Sequence, residues 1–309
     1  MSALRFDHFI SYTSAADIDD YLKEYAAQGF SPSDRTVRHE PGLRNGFLFF
    51  GPEYLEFAWV EDAQMFDKAD AGEKLLQSVT RRFGIGLVAD DVNAVHSNWV
   101  ERGYSLPEVW SKSPRDAVPG APSAWSFQEI PAELLPGASC FALTYHARPR
   151  KDTGSVRVPR NTIYGVAGVI FVAQNPEARA TRWRDLLAPG ESVVQTEGGF
   201  EVVIGPHRAE WMTPATYSSL LQLNWEPAPH SSGELSAISL FANDLDVATR
   251  MLEGSGRRVV STTIEGTDTL IVTPDERDGF AFTIQQHPID TWIVQRTART
   301  GENLIFSKE

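Results

Sequence analysis

ADDVNAVHSNWVERGY, residues 89–104, carries both ends of a helix in its own letters. Asp91 stands where a side-chain oxygen accepts from the free N–H groups of a first turn, and Gly103 suits a left-handed end. Between them Val92, Val95 and Trp99 recur at helical spacing and make one apolar face. The pattern is not unique. AADIDDYLKEYAAQGF from Ala15 and ANDLDVATRMLEGSGR from Ala242 align with it without gaps, with Asp17 and Asp244 at the cap and Gly29 and Gly256 near the end. In the first of these, Ile18, Leu22 and Tyr25 form the apolar face. AQNPEARATRWRDLLAPG from Ala173 is a weaker fourth copy, with Asn175 as cap and Pro176 at the first helical position.

A strand-like stretch precedes each helix: FDHFISYT, FGIGLVA, GVAGVIFVA and LSAISLFA. Further strand-like stretches, bounded by turn signals, follow each one. The repeating unit is β-α-β-β-β, about 60–80 residues long and present four times. Such a unit has one bare sheet face and buries it against a sibling. Two pairs therefore give two domains, expected at residues 1–147 and 161–290. The Pro-, Gly- and charge-rich RPRKDTGSVRVPR (148–160) reads as a solvated linker between them, and 291–309 as a C-terminal tail.

Composition narrows the function classes. The 309 residues are 42% hydrophobic and 22% charged, as in ordinary globular proteins. With 41 acidic against 28 basic residues the formal net charge is −13, a field that repels phosphate backbones and argues against nucleic acid. No apolar run reaches the roughly 18 residues of a membrane span, and MSALRFDHFI lacks the core of a signal peptide. A single cysteine, Cys140, allows no internal disulfide framework, so a cytoplasmic location is the default expectation. There is no nucleophile elbow, P-loop, zincin motif or dinucleotide fingerprint.

The module pattern resembles the vicinal oxygen chelate superfamily, which includes glyoxalase I, extradiol dioxygenases and bleomycin-resistance proteins. Within it the first half is similar to glyoxalase-like proteins. The resemblance rests on Asp7-His8 in the first strand, on Arg38-His39 with Pro41-Gly42 and Asn45, and on Tyr54-Leu55-Glu56. It covers residues 5–146 by motif and 162–290 by module pattern, with EWMTP (210–214) as a further familiar phrase. It implies an α+β fold of four βαβββ modules paired into two half-barrel domains.

The resemblance also implies where ligands stand: near the start of each module's first strand and in the middle of its last. The first-strand row is His8, Gly84, Gly168, Ala237; the last-strand row is Glu56, Thr144, Glu210, Thr283. Module one alone holds both candidates, so His8 and Glu56 are the expected metal ligands and catalytic groups. Glu56 interrupts the apolar run of HEPGLRNGFLFFGPEYLEFAWVED (39–62), where a lone carboxylate is costly unless compensated. Strand alternation puts it on one face with Tyr54 and Ala58, and His8 with Phe6 and Ile10. His39, Asn45, Arg44 and Trp125 are the candidate substrate contacts, Asn45 and Arg44 through amide and guanidinium donors. Plainer readings stand beside these: a structural His8–Glu56 ion pair, a loop histidine for His39, a surface pair for Arg44 and a core ring for Trp125. Glu210 is a weaker anomaly, with His207 as its candidate partner; Cys140 is expected in the core, and His96, His146, His230 and His287 at the surface.

A C-terminal pair with Gly168, Ala237 and Thr283 in its rows argues against ring-cleaving iron chemistry. Two function classes remain. One is a glyoxalase-like enzyme, of isomerase, epimerase or lyase type, acting on a small polar oxygen-containing substrate, with or without one divalent ion (Zn, Ni, Mn, Fe or Mg). The other is a metal-free small-molecule sequestering protein of bleomycin-resistance type. The expected partner is a small molecule, not nucleic acid or membrane; a homodimer is left open.

Overall fold

The cap signals read from the sequence are realised in the second and fourth modules, while Asp17, the cap expected in the first, lies outside the described residues. In the computed structural model Asp91 caps helix α2 (Val92–Glu101), accepting from Asn93 N at 2.9 Å. Asp244 caps α5 (Leu245–Gly254), accepting from Val247 N at 2.9 Å. The closing glycines Gly29, Gly103 and Gly256 adopt φ of 85°, 87° and 87°, a left-handed conformation that side chains resist. Asn175 differs: it holds the N-cap position of α3 (Pro176–Leu187) but makes no side-chain cap bond, with Pro176 in the first turn. The structure describes residues 4–12, 18–34, 36–40, 42–62, 83–112, 124–135, 138–146, 155–223, 234–274, 280–301 and 304–307.

Module one is β1 (Arg5–Tyr12), α1 (Ile18–Ala27), β2 (Val37–Glu40), β3 (Leu43–Phe50) and β4 (Glu53–Val60). Module two is β5 (Phe83–Val88), α2, β6 (Trp110–Lys112), β7 (Trp125–Ile130) and β8 (Ser139–Tyr145). Together they form one sheet of order β2-β3-β4-β1-β5-β8-β7-β6. After β9 (Ser155–Arg157) the plan repeats. Module three is β10 (Ile163–Val172), α3, β11 (Val194–Gln195), β12 (Phe200–Ile204) and β13 (His207–Met212), followed by α4 (Pro214–Leu221). Module four is β14 (Glu234–Ala242), α5, β15 (Val259–Ile264), β16 (Thr267–Val272) and β17 (Ala281–Gln286), followed by α6 (Ile289–Thr300) and β18 (Ile305–Ser307). The second sheet has the order β11-β12-β13-β10-β14-β17-β16-β15. The fold is α+β, two open eight-stranded sheets each built from a module pair.

The two halves share one apolar core on their helix-bearing sides, running from Tyr25, Phe57 and Trp99 to Trp183, Trp211 and Phe282. Trp99 donates to Leu186 O across the junction at 2.9 Å, and Phe30 and Phe50 meet Phe282. A buried charge cluster joins them as well. Glu53 on β4 takes Arg296 of α6 at 2.6 Å and His207 of β13 at 3.1 Å. Burial alone would raise the Glu53 carboxyl, but Arg296 and His207 together outweigh it and hold the pKa below its ordinary value.

The expected linker and tail are not both plain coil. Within 148–160, β9 pairs in parallel with β18 of the 291–309 segment, and α6 buries Trp292 and Arg296. Among the described residues no helix is long and apolar enough to cross a membrane.

Candidate functional site

Strand β1 does not alternate cleanly. Its antiparallel pairing with β5 runs Phe6↔Leu87, then His8↔Gly86, with a bulge at Asp7. A bulge turns two consecutive side chains toward one face. Phe6 therefore joins the helix-side core with Phe9, which corrects its expected place beside His8. Asp7 and His8 instead stand together on the helix-free face, 3% and 4% exposed.

Asp7 gathers the polar groups of that face. Its Oδ2 lies 2.8 Å from His8 Nδ1 and accepts the Tyr145 hydroxyl at 2.8 Å. The Tyr54 hydroxyl is 3.2 Å from that of Tyr145; because Tyr145 spends its proton on Asp7, Tyr54 is the donor. Tyr54 is on β4 and Tyr145 on β8, three strand spacings apart, or roughly 14 Å across a flat sheet. Their contact shows that the sheet cups over this face. Burial first, then Tyr145, Asp7 and Glu56, push the Tyr54 phenol well above its ordinary range, so it stays a proton donor.

The geometry orders the two tautomers of a neutral His8 ring: with Nδ1 facing a carboxylate, the proton belongs there and Nε2 is the acceptor. The ring stacks on Tyr54 at 4.7 Å and 10°, and lies over Gly86, where a Cβ would fall 2.3 Å from His8 Cε1. The glycine of FGIGLVA that matters to this histidine is thus Gly86. Gly84 stands opposite Ile10.

Glu56 is half-buried on the same face, one pleat further along β4, opposite Ile10. It does not pair with His8. Asn45 of β3, 2% exposed, donates its side-chain amide to Glu56 Oε1. Asn45 Oδ1 is buried and meets no donor among the described residues. An acceptor left so costs about 1–3 kcal/mol. Phe47 stands opposite Glu56 in the β3–β4 register, and Trp125 stands opposite Tyr145 in β7–β8.

Of the six expected site residues, the fold therefore gathers His8, Glu56, Asn45 and Trp125 on one face. Arg44 is corrected: odd spacing from Asn45 turns it to the helix side, where Nη2 meets Asp19 of α1 at 2.6 Å and Nε meets Thr36 at 2.8 Å. The side chain of His39, on β2, lies outside the described residues, as does all of His230. Thr144 also leaves the expected row: it receives Val92 N at 2.8 Å beneath α2, so Tyr145 holds the cavity position of β8. His96 is not a free surface histidine; its Nδ1 bonds Gln128 on β7. Cys140 is buried, as expected.

A divalent ion needs about three protein ligands plus open positions. Among the described residues no group of three or more His, Cys, Asp or Glu is placed to hold one. Module two offers glycine, aromatic and aliphatic side chains where further ligands would stand: Gly84, Gly86, Phe141, Leu143. His8 Nε2 and the Glu56 carboxylate remain as donors on this face, and two fall short of the three that a resident divalent ion needs, so this donor set does not fit one.

In the second sheet Glu210 occupies the register of Glu56, opposite Ile170 as Glu56 is opposite Ile10. Its expected partner His207 is three residues away on a strand, hence on the other face, and pairs with Glu53 instead. Glu210 accepts from the Thr196 hydroxyl at 2.8 Å. Burial, which outweighs that bond and is aided by Glu201 and Glu265, pushes its carboxyl up to about 7. Tyr217 and Leu221 of α4, with Leu223, pack against Ile170, Met212, Ala237 and Ile271 on this face.

A family model described as a glyoxalase-like domain matches residues 6–187, more than half of the chain. No curated protein matches it. Among solved structures, a mutant of 4-hydroxymandelate synthase from Streptomyces coelicolor is similar over 98% of this chain and 99% of its own, at 12% identity and a TM-score of 0.57. Catechol 2,3-dioxygenase aligns over 93% and 89%, at 11% identity and a TM-score of 0.54. The Mn(II)-bound glyoxalase from Novosphingobium aromaticivorans aligns over 92% and 82%, at 14% identity and a TM-score of 0.53. At such identities the likeness is one of fold, that of the vicinal oxygen chelate superfamily.

Proposed function

The chain belongs to the glyoxalase-like domain family, and from that premise we propose that its N-terminal sheet binds a small oxygen-bearing molecule and moves a proton on it. The chemistry is of isomerase, epimerase or lyase type. One observation carries the reading: Asp7 takes the Nδ1 proton side of His8 and leaves Nε2 as a base on a cupped face. A carboxylate behind an imidazole fixes its tautomer and stabilises the imidazolium that forms when Nε2 accepts a proton.

Each group then has a part. His8 Nε2 removes a proton from carbon next to a carbonyl. Tyr145 and Tyr54 hold Asp7 in place through their directed hydroxyls. Glu56 and Asn45 supply acceptors for a substrate hydroxyl. General-base catalysis of this kind contributes about 10²–10⁴-fold.

The test is solvent-deuterium wash-in. The protein is incubated with hydroxyacetone in D₂O, and loss of the proton signals α to the carbonyl is followed by NMR. Exchange above the buffer rate that disappears in His8→Gln is the expected result. Exchange that survives His8→Gln removes the base assigned here. Binding without exchange points to the sequestering role instead. Exchange that needs added Mn(II) and is lost on chelation replaces the metal-free mechanism with a metal-dependent one.

A further inference from the structure

Two walls of aromatic rings flank the Asp7–His8 pair. On one side Tyr54 stacks on His8 and meets Phe47 edge-on at 5.6 Å. On the other, Trp110 stacks on Phe127 at 4.7 Å, and Phe127 leads through Phe141 back to His8 at 5.5 Å. Tyr54, Phe47, Phe127 and Trp110 are half-buried, so ring surface remains between the walls. The strands of the matching face of the second sheet bring no such ring walls to the cluster there: Ile170, Met212, Ala237 and Ile271 pack together, with Tyr217 contributed by α4.

The donors of this face, the Tyr54 and Tyr145 hydroxyls and the Asn45 amide, are turned to partners within it, which leaves acceptors for a ligand. The Glu56 carboxylate and the orphaned Asn45 Oδ1 are adjacent acceptors. The arginines of β1 and β3 are turned to other partners, Arg44 to Asp19 and Arg5 to Asp90, and β4 carries no Lys or Arg. An anionic ligand would meet Glu56 and Asp7 with no described cation from those strands to offset them. The complement of the face is an uncharged molecule that is flat, stacks on rings and brings a hydrogen-bond donor.

We propose that the substrate class is an uncharged aromatic hydroxyketone. Its ring lies between the two walls, its hydroxyl donates to Glu56 or Asn45 Oδ1, and the hydroxyl-bearing carbon faces His8 Nε2. The proposal rests on the proton-transfer reading and narrows its substrate. In the step, Nε2 takes a proton from that carbon, the C–H pair becomes the C=C bond of an enediolate, and the carbonyl π pair moves to oxygen. Return of a deuteron from His8 reverses each change and leaves the labelled ketone.

The experiment compares three probes on the full-length protein in D₂O: 2-hydroxyacetophenone, its cyclohexyl analogue 2-hydroxy-1-cyclohexylethanone, and hydroxyacetone. Rates are taken as kcat/KM above the buffer-catalysed exchange of each. Phenyl should exceed cyclohexyl by about tenfold, the scale of stacking on two rings. Phe127→Leu, which keeps apolar volume and removes the ring, should bring the two within about threefold. Trp110→Leu serves the same purpose should Phe127→Leu fail to fold. Equal wild-type rates on the phenyl and cyclohexyl ketones, with His8-dependent exchange of hydroxyacetone intact, overturn the aromatic class and leave the proton transfer standing. No exchange on any probe overturns the underlying reading. Benzoate should not compete; strong inhibition by benzoate overturns the argument from the acceptors.

Discussion

At one register position the two sheets carry the same side chain, yet the surroundings make it two different things. Glu56 stands opposite Ile10 and Glu210 opposite Ile170. Both first strands bulge at the same place, between Phe6 and His8 and between Val166 and Gly168. The bulge presents Asp7 and His8 in the first sheet and Ala167 and Gly168 in the second. Nor can a side chain be restored at Gly168, where a Cβ would lie 2.0 Å from Arg208 O. The first face sets polar groups among half-buried aromatic rings; the second packs Ile170, Met212, Ala237 and Ile271 under α4 beside Glu210. A repeated backbone thus keeps its hydrogen-bond geometry while its side chains diverge, and the proposed function assigns one face to a ligand and the other to stability.

The sharpest test of that division is catalytic. Asp7→Asn should cut hydroxyacetone exchange by about 10²–10⁴-fold by releasing the His8 tautomer, whereas Glu210→Gln should leave the rate within about twofold. Comparable losses from both variants would erase the distinction between the faces.

The packed face is tested by truncation. Leu221, fully buried beneath the second sheet, should cost about 2–5 kcal/mol as Leu221→Ala in urea denaturation. Phe49, 43% exposed on the first sheet, should cost less than about 1 kcal/mol as Phe49→Ala. Similar losses would mean that both faces are core.

Much of this arrangement was readable in advance, because it is local. Asp91 and Asp244 cap as their position in a helical period requires, and alternation places Glu56 with Tyr54 and Ala58. What escaped was set by pairing between distant strands. The Asp7 bulge breaks the period-2 rule inside a run that looks regular, so strict alternation puts Asp7 on the face opposite His8 and conceals their pairing. A single step in the β8 row exchanged Tyr145 for Thr144, since nothing in SCFALTYHA marks which parity faces inward. Helix α4 did leave a signal in EWMTP: Thr213 accepts from Thr216 N as N-cap and Pro214 opens the first turn. Helix α6 begins at Pro288 without a side-chain cap bond, and Glu53, its buried partner, lies far away in sequence.

Glu210 supplies a pH test of the packed face. Its folded pKa is raised from 4.5 to about 7 by burial, so the folded state keeps a proton that the unfolded chain releases earlier. The associated stability is full below the unfolded value and is lost as pH rises through about 7. Its size is up to about 3 kcal/mol. Glu210→Gln removes the ionisation and keeps an acceptor for Thr196. The variant should match wild type in urea denaturation at pH 4 and exceed it at pH 8. A constant difference at both pH values would show that Glu210 ionises normally and that its face is wetter than its packing implies.

The smallest stability effect belongs to Glu56, and there the smallness is the point. Glutamine keeps the shape and offers a carbonyl oxygen to the Asn45 amide, so the internal bond survives when the charge is removed. The Glu56→Gln melt should shift by less than about 1 kcal/mol. A ligand hydroxyl, by contrast, loses a charge-assisted bond, roughly twice as strong as a neutral one, and KM for 2-hydroxyacetophenone should rise by about 5–10-fold. The two readouts separate the roles a carboxylate can hold in an apolar strand. A structural half of a pair would lose stability and keep its binding. A ligand contact does the reverse, because the folded chain already satisfies what remains. Loss of more than about 2 kcal/mol with KM unchanged would move Glu56 to the structural side, and the contrast between the two sheets would then rest on Asp7 and His8 alone.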